Sequence, residues 1–345
     1  MLNALDYNVE DWVQYLSEIN EPKFRAKQIF TWLQKGVSFR DMTNLPKKLQ
    51  ENLANNFEEN SVKIHKKLIS SKDGTRKYIF ALQDGNIIEG VLMSYKYGNT
   101  ICISTQVGCR MNCAFCASGL DGLVRNLTAG EMLGEVLAVN KDLGNGERQI
   151  TNIVLMGSGE PLDNYDNVVK FINMVSCSDG INISKRNISL STCGICDKIY
   201  NMAEDLSGVT LTISLHAPND EIREKIMPIN KAYKIKDIIK AVKYYFDKTG
   251  RRIIFEYSMI KGVNDSTECA KELSRLLKGL ACHVNLINLN YVKEKGLQSS
   301  GSEPVKEFLK VLERENISAT IRRTMGSDIE GACGQLRRKI LSENQ

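Results

Sequence analysis

No apolar run in this chain approaches the roughly 20 residues that a membrane-spanning helix needs, so no membrane association is expected. The opening residues, MLNALDYNVEDW, are acidic and carry no secretory pattern, and a cytoplasmic protein is the expectation. No internal repeat and no low-complexity segment breaks the chain, which excludes solenoids and disordered arrays. Ten cysteines among 345 residues are too few for a disulfide scaffold. In a reducing compartment, clustered thiols point to a metal site or to catalysis. Strong charge of one sign is also missing: the formal net charge is +5, which permits an anionic partner without requiring one.

Three of the cysteines are grouped. Cys109, Cys113 and Cys116 form a C-x₃-C-x₂-C run, with Phe115 just before the last, and Cys102 lies a short way upstream. Thiolates at this spacing suit a soft metal centre. A structural zinc takes four ligands in paired C-x₂-C knuckles, whereas this run is unpaired and has no fourth ligand nearby. A [4Fe–4S] cluster is usually held by four cysteines, so three local ligands would leave one iron open to a small molecule. A zinc site completed from elsewhere, or buried free thiols, are the plainer alternatives.

Around this loop the hydrophobic pattern changes twice. Residues 1–60 have helical spacing: Val9, Trp12, Val13, Leu16 and Ile19 mark a first helix, Phe24, Ile29, Phe30 and Leu33 a second, and Pro46 opens a third. This segment reads as a helical accessory domain with possible RNA docking. Residues 61–99 read as a β-hairpin extension, with strands 76–82 and 86–93 about the turn pair Asp84-Gly85. From 100 to 345 strands and helices alternate. Strands are expected at 101–105, 152–156, 187–191, 210–215, 253–258, 284–289 and 319–322. Helices are expected at 129–141, 165–175, 195–205, 235–246, 267–278 and 304–315. The first helix carries a capping box, Thr128-x-x-Glu131. Such alternation gives a parallel sheet, and the fold class expected is α/β, a partial (β/α) barrel of TIM type. Active sites in such barrels are built from loops at the strands' C-terminal ends. Those loops carry the Cys109 run, Gly157-Ser158-Gly159-Glu160-Pro161, Ser191-Thr192-Cys193, Ser214-Leu215-His216 and Asn290, with Cys333 after the last strand.

C-x₃-C-x-F-C after the first strand resembles the signature of radical S-adenosylmethionine (SAM) enzymes. CISTQVGCRMNCAFCASG, RNLTAGEML, GSGEP, SLHAPND, MPIN, GVND, HVNLI and GSDIEGACGQLR, in that order, resemble the radical SAM adenine-C2 RNA methyltransferase family over essentially the whole chain. Several roles are implied by that resemblance. Cys109, Cys113 and Cys116 would hold one [4Fe–4S] cluster. Gly159, Glu160, Ser191, Ser214, Leu215, His216 and Asn290 would contact SAM, two molecules of which are consumed per methylation. Ser158 stands where the family usually has Met. Cys333 would become an S-methylcysteine, receive a radical on that methyl, and link to C2 of adenine. Cys102 would resolve the adduct through a transient disulfide with Cys333. Glu89 would take the C2 proton, and an apolar wall would suit a base there; the following Gly90 replaces a common Thr. Arg322, Arg323, Arg337, Arg338 and Lys339 could guide a phosphate backbone. The substrates implied are an adenine of 23S rRNA and one in certain tRNAs, with a reductant such as flavodoxin or ferredoxin. On residue type alone, Cys333 could equally be an inert loop thiol, Cys102 a buried strand cysteine, and Glu89 the wet face of a hairpin. The rival readings are C8 methylation of the same rRNA adenine, as in a resistance-conferring relative, and a non-catalytic, zinc-stabilised RNA-binding protein. The remaining cysteines, Cys193-Gly-Ile-Cys196 included, have no expected role.

Overall fold

The computed structural model describes residues 1–144 and 149–329. Three N-terminal helices, α1 (Val9–Glu18), α2 (Arg25–Gln34) and α3 (Lys47–Asn56), pack around Trp12, Phe39 and Phe57. A reciprocal cap opens α1, where the Asp11 N–H donates to Asn8 Oδ1 and the Asn8 N–H donates to Asp11 Oδ2. The expected second helix starts at Arg25, and Phe24 is 65% exposed rather than part of its buried stripe. Three strands follow: β1 (Lys63–Ile69), β2 (Arg76–Ala81) and β3 (Ile87–Tyr95), all antiparallel. Gly85 takes φ 81° in the turn between β2 and β3, as the Asp-Gly pair predicts.

Seven parallel strands continue the same sheet. They are β4 (Gly98–Ile103), β5 (Ile150–Leu155), β6 (Ile188–Thr192), β7 (Thr210–Ser214), β8 (Ile253–Met259), β9 (Cys282–Asn288) and β10 (Ala319–Ile321). Their order in the sheet is their order in the chain, and β3 closes against β4 at the other side. Connecting helices are α4 (Ala129–Leu143), α5 (Tyr165–Ser176), α6 (Cys196–Asp205), α7 (Asp220–Ile226), α8 (Ile235–Thr249), α9 (Thr267–Leu277) and α10 (Ser302–Arg314). The expected α/β partial barrel is therefore the observed one: the sheet runs from β1 to β10 as an open series. Helix α7 is extra to the expected set, short enough to be lost between β7 and α8.

Apolar side chains from both halves form one continuous core, which reaches from Trp12 and Phe57 to Phe255, Tyr257 and Phe308. The N-terminal helices therefore share a core with the barrel helices. Thr128 and Glu131 cap α4 reciprocally, at 3.1 and 3.0 Å. No helix among the described residues is long and apolar enough to cross a membrane.

Candidate active site

A cavity of about 910 Å³ opens at the C-terminal ends of the parallel strands. Strand register builds its floor. Ser214 stands beside Glu256, Glu256 beside Asn285 and Asn285 beside Thr320, a polar row across β7 to β10. All four line the cavity. An isolated carboxylate on that floor would be costly, and Glu256 is held by the Asn285 amide at 2.9 Å and the Arg322 guanidinium at 3.5 Å. Burial still pushes the Glu256 carboxyl up, with Arg322 opposing it. Neither Glu256 nor Asn285 was singled out in the sequence. A carboxylate inside the apolar strand IIFEYSM was the available signal for the first.

The cysteine run lies on the wall. A short antiparallel pair, Gln106–Gly108 with Leu123–Asn126, pinches off the loop, and the Cys109 N–H donates to the Gly122 carbonyl at 2.9 Å. Gly108 has φ 77°, and a Cβ on it would fall 2.0 Å from that same Gly122 oxygen, so only glycine closes the loop this tightly. The far side is tied to α7, where the Ala114 N–H donates to the Ile226 carbonyl at 2.8 Å. Cys109, Cys113 and Cys116 all line the cavity. Burial pushes the Cys109 thiol up to about 12 and the Cys113 thiol up as well. Thiolates here therefore need a positive centre to form.

The residues fit a [4Fe–4S] cluster, which takes soft thiolate ligands. Among the described residues, no three of His, Cys, Asp and Glu are gathered closely enough to hold a single metal ion. Each ligand of a [4Fe–4S] cluster sits on a separate iron, so its thiolates spread over one wall, as these do. Three thiols face the cavity together, beside a space roomy enough for a cofactor.

Facing them is the turn after β5. Gly159 has φ 108°, and a Cβ there would come within 2.6 Å of Gln106 Cβ. The turn can pack this closely on Thr105 and Gln106 only because this residue is glycine, and Gly159 lines the cavity. Glu160 is buried, accepts hydrogen bonds from the Cys193 N–H at 2.7 Å and the Leu162 N–H at 3.0 Å, and still lines the cavity. Burial pushes its carboxyl up, against those hydrogen bonds. Cys193, for which no role was expected, thus carries the amide that orients Glu160 and lines the same cavity.

Ser191 and Ser214 line it too, their hydroxyls 3.3 Å apart, and Asn290 stands at its rim. His216 has φ 56° and lies under the CxFC segment, its ring edge-on to Phe115 with centroids 4.8 Å apart. The Ser258 N–H donates to His216 Nδ1 at 2.9 Å, which makes Nδ1 an acceptor and leaves the proton on Nε2. Burial, then the nearby Arg223 charge, lowers the His216 pKa to about 3, so the ring is neutral. Leu215 is different from its neighbours. Its side chain is fully buried in the core, outside the cavity lining, and only its backbone works in the loop: N–H to the Glu256 carbonyl and C=O to Arg223.

Cys102 pairs with Val91 across β3 and β4, and both line the cavity. Glu89 shares the strand face of Val91, Met93 and Tyr95 but stands further down β3. Its surroundings differ from the expected apolar wall: Lys77, fully buried on β2, places its ammonium 3.2 Å from Glu89 Oε2. A solvent-facing hairpin position is excluded, because Glu89 is itself buried. On the neighbouring face, a Cβ on Gly90 would meet Phe80 at 2.8 Å, so the threonine common in the family would need this packing to change. Arg322 and Arg323 line the cavity mouth. Cys333, Arg337, Arg338 and Lys339 lie outside the described residues.

Comparison with known proteins agrees with this architecture. Residues 103–273 match the radical SAM superfamily, and residues 2–58 match the ribosomal RNA large subunit methyltransferase N-terminal domain. A probable dual-specificity RNA methyltransferase RlmN of Clostridium botulinum (strain Eklund 17B / Type B) is 52% identical, over 100% of this chain and 99% of its own. The protein of the same description from Clostridium perfringens (strain 13 / Type A) is 54% identical over 99% of this chain and 98% of its own. The crystal structure of a radical SAM methyltransferase from Sphaerobacter thermophilus superposes with a TM-score of 0.92 at 40% identity, covering 97% of this chain and 99% of that one. With near-complete coverage at this identity, the chain belongs to the RlmN family of radical SAM RNA methyltransferases.

Proposed function

We propose that this radical SAM RNA methyltransferase methylates C2 of an adenine in 23S rRNA and in certain tRNAs, with Cys333 as the methyl carrier. The observation that carries the reading is the single cavity shared by Cys102, the three thiols of the C-x₃-C-x₂-C run and the Glu160 turn. A SAM-dependent reaction of this kind needs its cofactor wall and its thiol chemistry to face one space.

The cluster and SAM, once bound at Cys109, Cys113 and Cys116, supply the one-electron chemistry that an electron-poor aromatic carbon requires. The chain does the rest. Glu160 offers a carboxylate to the SAM ammonium while its own geometry is fixed by the Cys193 and Leu162 amides. Gly159, with no side chain, would leave room for SAM in the cavity it lines, and the Ser191 and Ser214 hydroxyls could bind its polar groups. The neutral His216 offers Nε2–H as a donor, while the Leu215 contribution comes from its backbone. Cys333 takes a methyl group by displacement from one SAM and then presents it to the adenine. Once the methyl carbon carried by Cys333 is bonded to adenine C2, the Cys102 thiolate would attack the Cys333 sulfur, forming a disulfide as the sulfur–carbon bond breaks and its electron pair leaves with the RNA carbon, which takes a proton; a cellular reductant would reopen the disulfide. Glu89 is the proposed acceptor of the C2 proton, oriented by Lys77. Arg322 and Arg323 at the mouth suit a phosphate backbone, and the target base must leave its stack to enter.

Replacing the carrier tests this scheme. Cys333→Ala protein should bind a cluster and cleave SAM yet transfer no methyl to RNA. Methyl transfer by that variant would remove Cys333 from the reaction. Anaerobic wild-type protein that is colourless, holds one zinc and cannot cleave SAM would favour a zinc-stabilised RNA-binding protein instead.

A further inference from the structure

Arg223, on α7, is fully buried and sits behind the cysteine wall. Among the described residues its guanidinium donates to neutral oxygens. Nε reaches the Leu215 carbonyl at 3.2 Å. Nη1 reaches Asn230 Oδ1 at 3.1 Å and the Tyr233 carbonyl at 3.5 Å. Nη2 reaches the Cys193 carbonyl at 2.6 Å and the Ser214 carbonyl at 3.4 Å. The Cys193 and Leu215 carbonyls belong to the loops after β6 and β7 and Ser214 ends β7; Cys193 and Ser214 line the cavity. Arginine keeps its charge at any ordinary pH, and a buried charge is costly unless an opposite charge stands near. The carbonyl dipoles satisfy its hydrogen bonds but do not neutralise it, and Asp220 at the start of the same helix is the carboxylate whose charge reaches it.

The cysteine loop is attached to the same helix. The Ala114 N–H donates to the Ile226 carbonyl, and Cys113 packs against the apolar cluster of Cys193, Ile226 and Met227. Arg223 Nη2 donates to the Cys193 carbonyl, and Cys193 packs in that same cluster with Cys113, so the guanidinium stands directly behind the cysteine wall. A cluster core of charge plus two held by three thiolates carries one net negative charge, and a second after one-electron reduction. Held by the cysteine wall that α7 carries, that negative centre would add to Asp220 as a counter-charge for Arg223.

We propose that Arg223 is the buried counter-charge of the iron–sulfur cluster, easing its reduction, and that it joins the loops after β6 and β7 to the cysteine wall. This rests on the cluster assignment made above. Arg223 acts through the cluster and loop carbonyls, so it is a positioning residue rather than a catalytic one. Its removal should make the reduced cluster, with its additional negative charge, harder to form.

The test is the midpoint potential of the reconstituted cluster, read by electron paramagnetic resonance during an anaerobic redox titration. Arg223→Gln removes the charge, Arg223→Lys keeps it, and Asn230→Asp places a carboxylate where an amide oxygen now sits 3.1 Å from the guanidinium. Arg223→Gln and Asn230→Asp should each shift the midpoint to more negative potential, while Arg223→Lys stays near wild type. Because Asn230→Asp leaves the arginine in place, it decides the matter if Arg223→Gln does not fold. Loss of the cluster from folded Arg223→Gln but not from Arg223→Lys also supports the counter-charge. A wild-type midpoint in cluster-loaded Asn230→Asp would overturn the inference, as would equal cluster loss in Arg223→Gln and Arg223→Lys. Wild-type protein that takes up no iron and sulfide would instead refute the cluster assignment itself.

Discussion

Lys77 and Glu89 form a buried ion pair on adjacent strands, with Nζ 3.2 Å from Oε2. At an effective dielectric near 20, attraction at this distance is roughly 5 kcal/mol. Desolvating each ion costs several kcal/mol, so the pair as a whole adds little over well-packed apolar side chains. Breaking it is another matter. Lys77→Met leaves a buried carboxylate beside a methyl thioether and should cost about 3–5 kcal/mol. Adding Glu89→Leu removes the second buried charge of the pair, and the double variant should recover most of that loss. Urea unfolding of the four proteins of this cycle reads the stability directly, provided the slope of the transition is unchanged. RNA methylation by the same proteins separates structure from chemistry: the double variant should be stable, cleave SAM and transfer no methyl. A double variant as unstable as Lys77→Met would refute the pairing argument. One that methylates RNA normally would remove Glu89 as the proton acceptor.

Gly159→Ala puts a Cβ 2.6 Å from Gln106 Cβ and 2.8 Å from its backbone nitrogen, at φ 108°. Strain and overpacking together should cost about 2–5 kcal/mol, and SAM affinity by calorimetry should fall more than in a surface glycine variant. His216, neutral and buried, has its pKa depressed to about 3. The unfolded chain binds a proton there near pH 6.5 and the folded one does not, so its contribution is complete above about 6.5 and is lost as pH falls toward 3. The stability gap between wild type and His216→Asn in urea should therefore shrink by up to about 1.4 kcal/mol per pH unit below 6.5; a gap independent of pH would contradict the buried neutral ring.

Regular alternation made most of the barrel legible. All seven expected parallel strands and their six helices form within a few residues of the expected bounds, because each buries an apolar stripe that local spacing displays. Helix α7 is not legible in the sequence: at seven residues it is too short to set a period, and one of its two buried members is an arginine. The same brevity hid Arg223, since a lone arginine in DEIREKI looks like any solvated charge. The thiol run and the glycine turn were readable because their spacing is local. What surrounds Glu89 was not. Its partner Lys77 lies across a hairpin, and strand alternation alone cannot say whether a charged residue facing inward meets an apolar wall or an opposite charge. Leu215 marks another boundary. A loop position taken from a motif does not say whether side chain or backbone faces the cofactor, and here the side chain belongs to the core.

The central claim is methyl transfer to C2 of adenine in RNA. Holoenzyme, SAM, a low-potential reductant and 23S rRNA or tRNA should be incubated anaerobically, and the digested RNA resolved by mass spectrometry against 2-methyl- and 8-methyladenosine standards. Wild type should yield 2-methyladenosine and Cys333→Ala none. Only 8-methyladenosine, or no methylated adenosine from cluster-loaded wild-type protein, would contradict it.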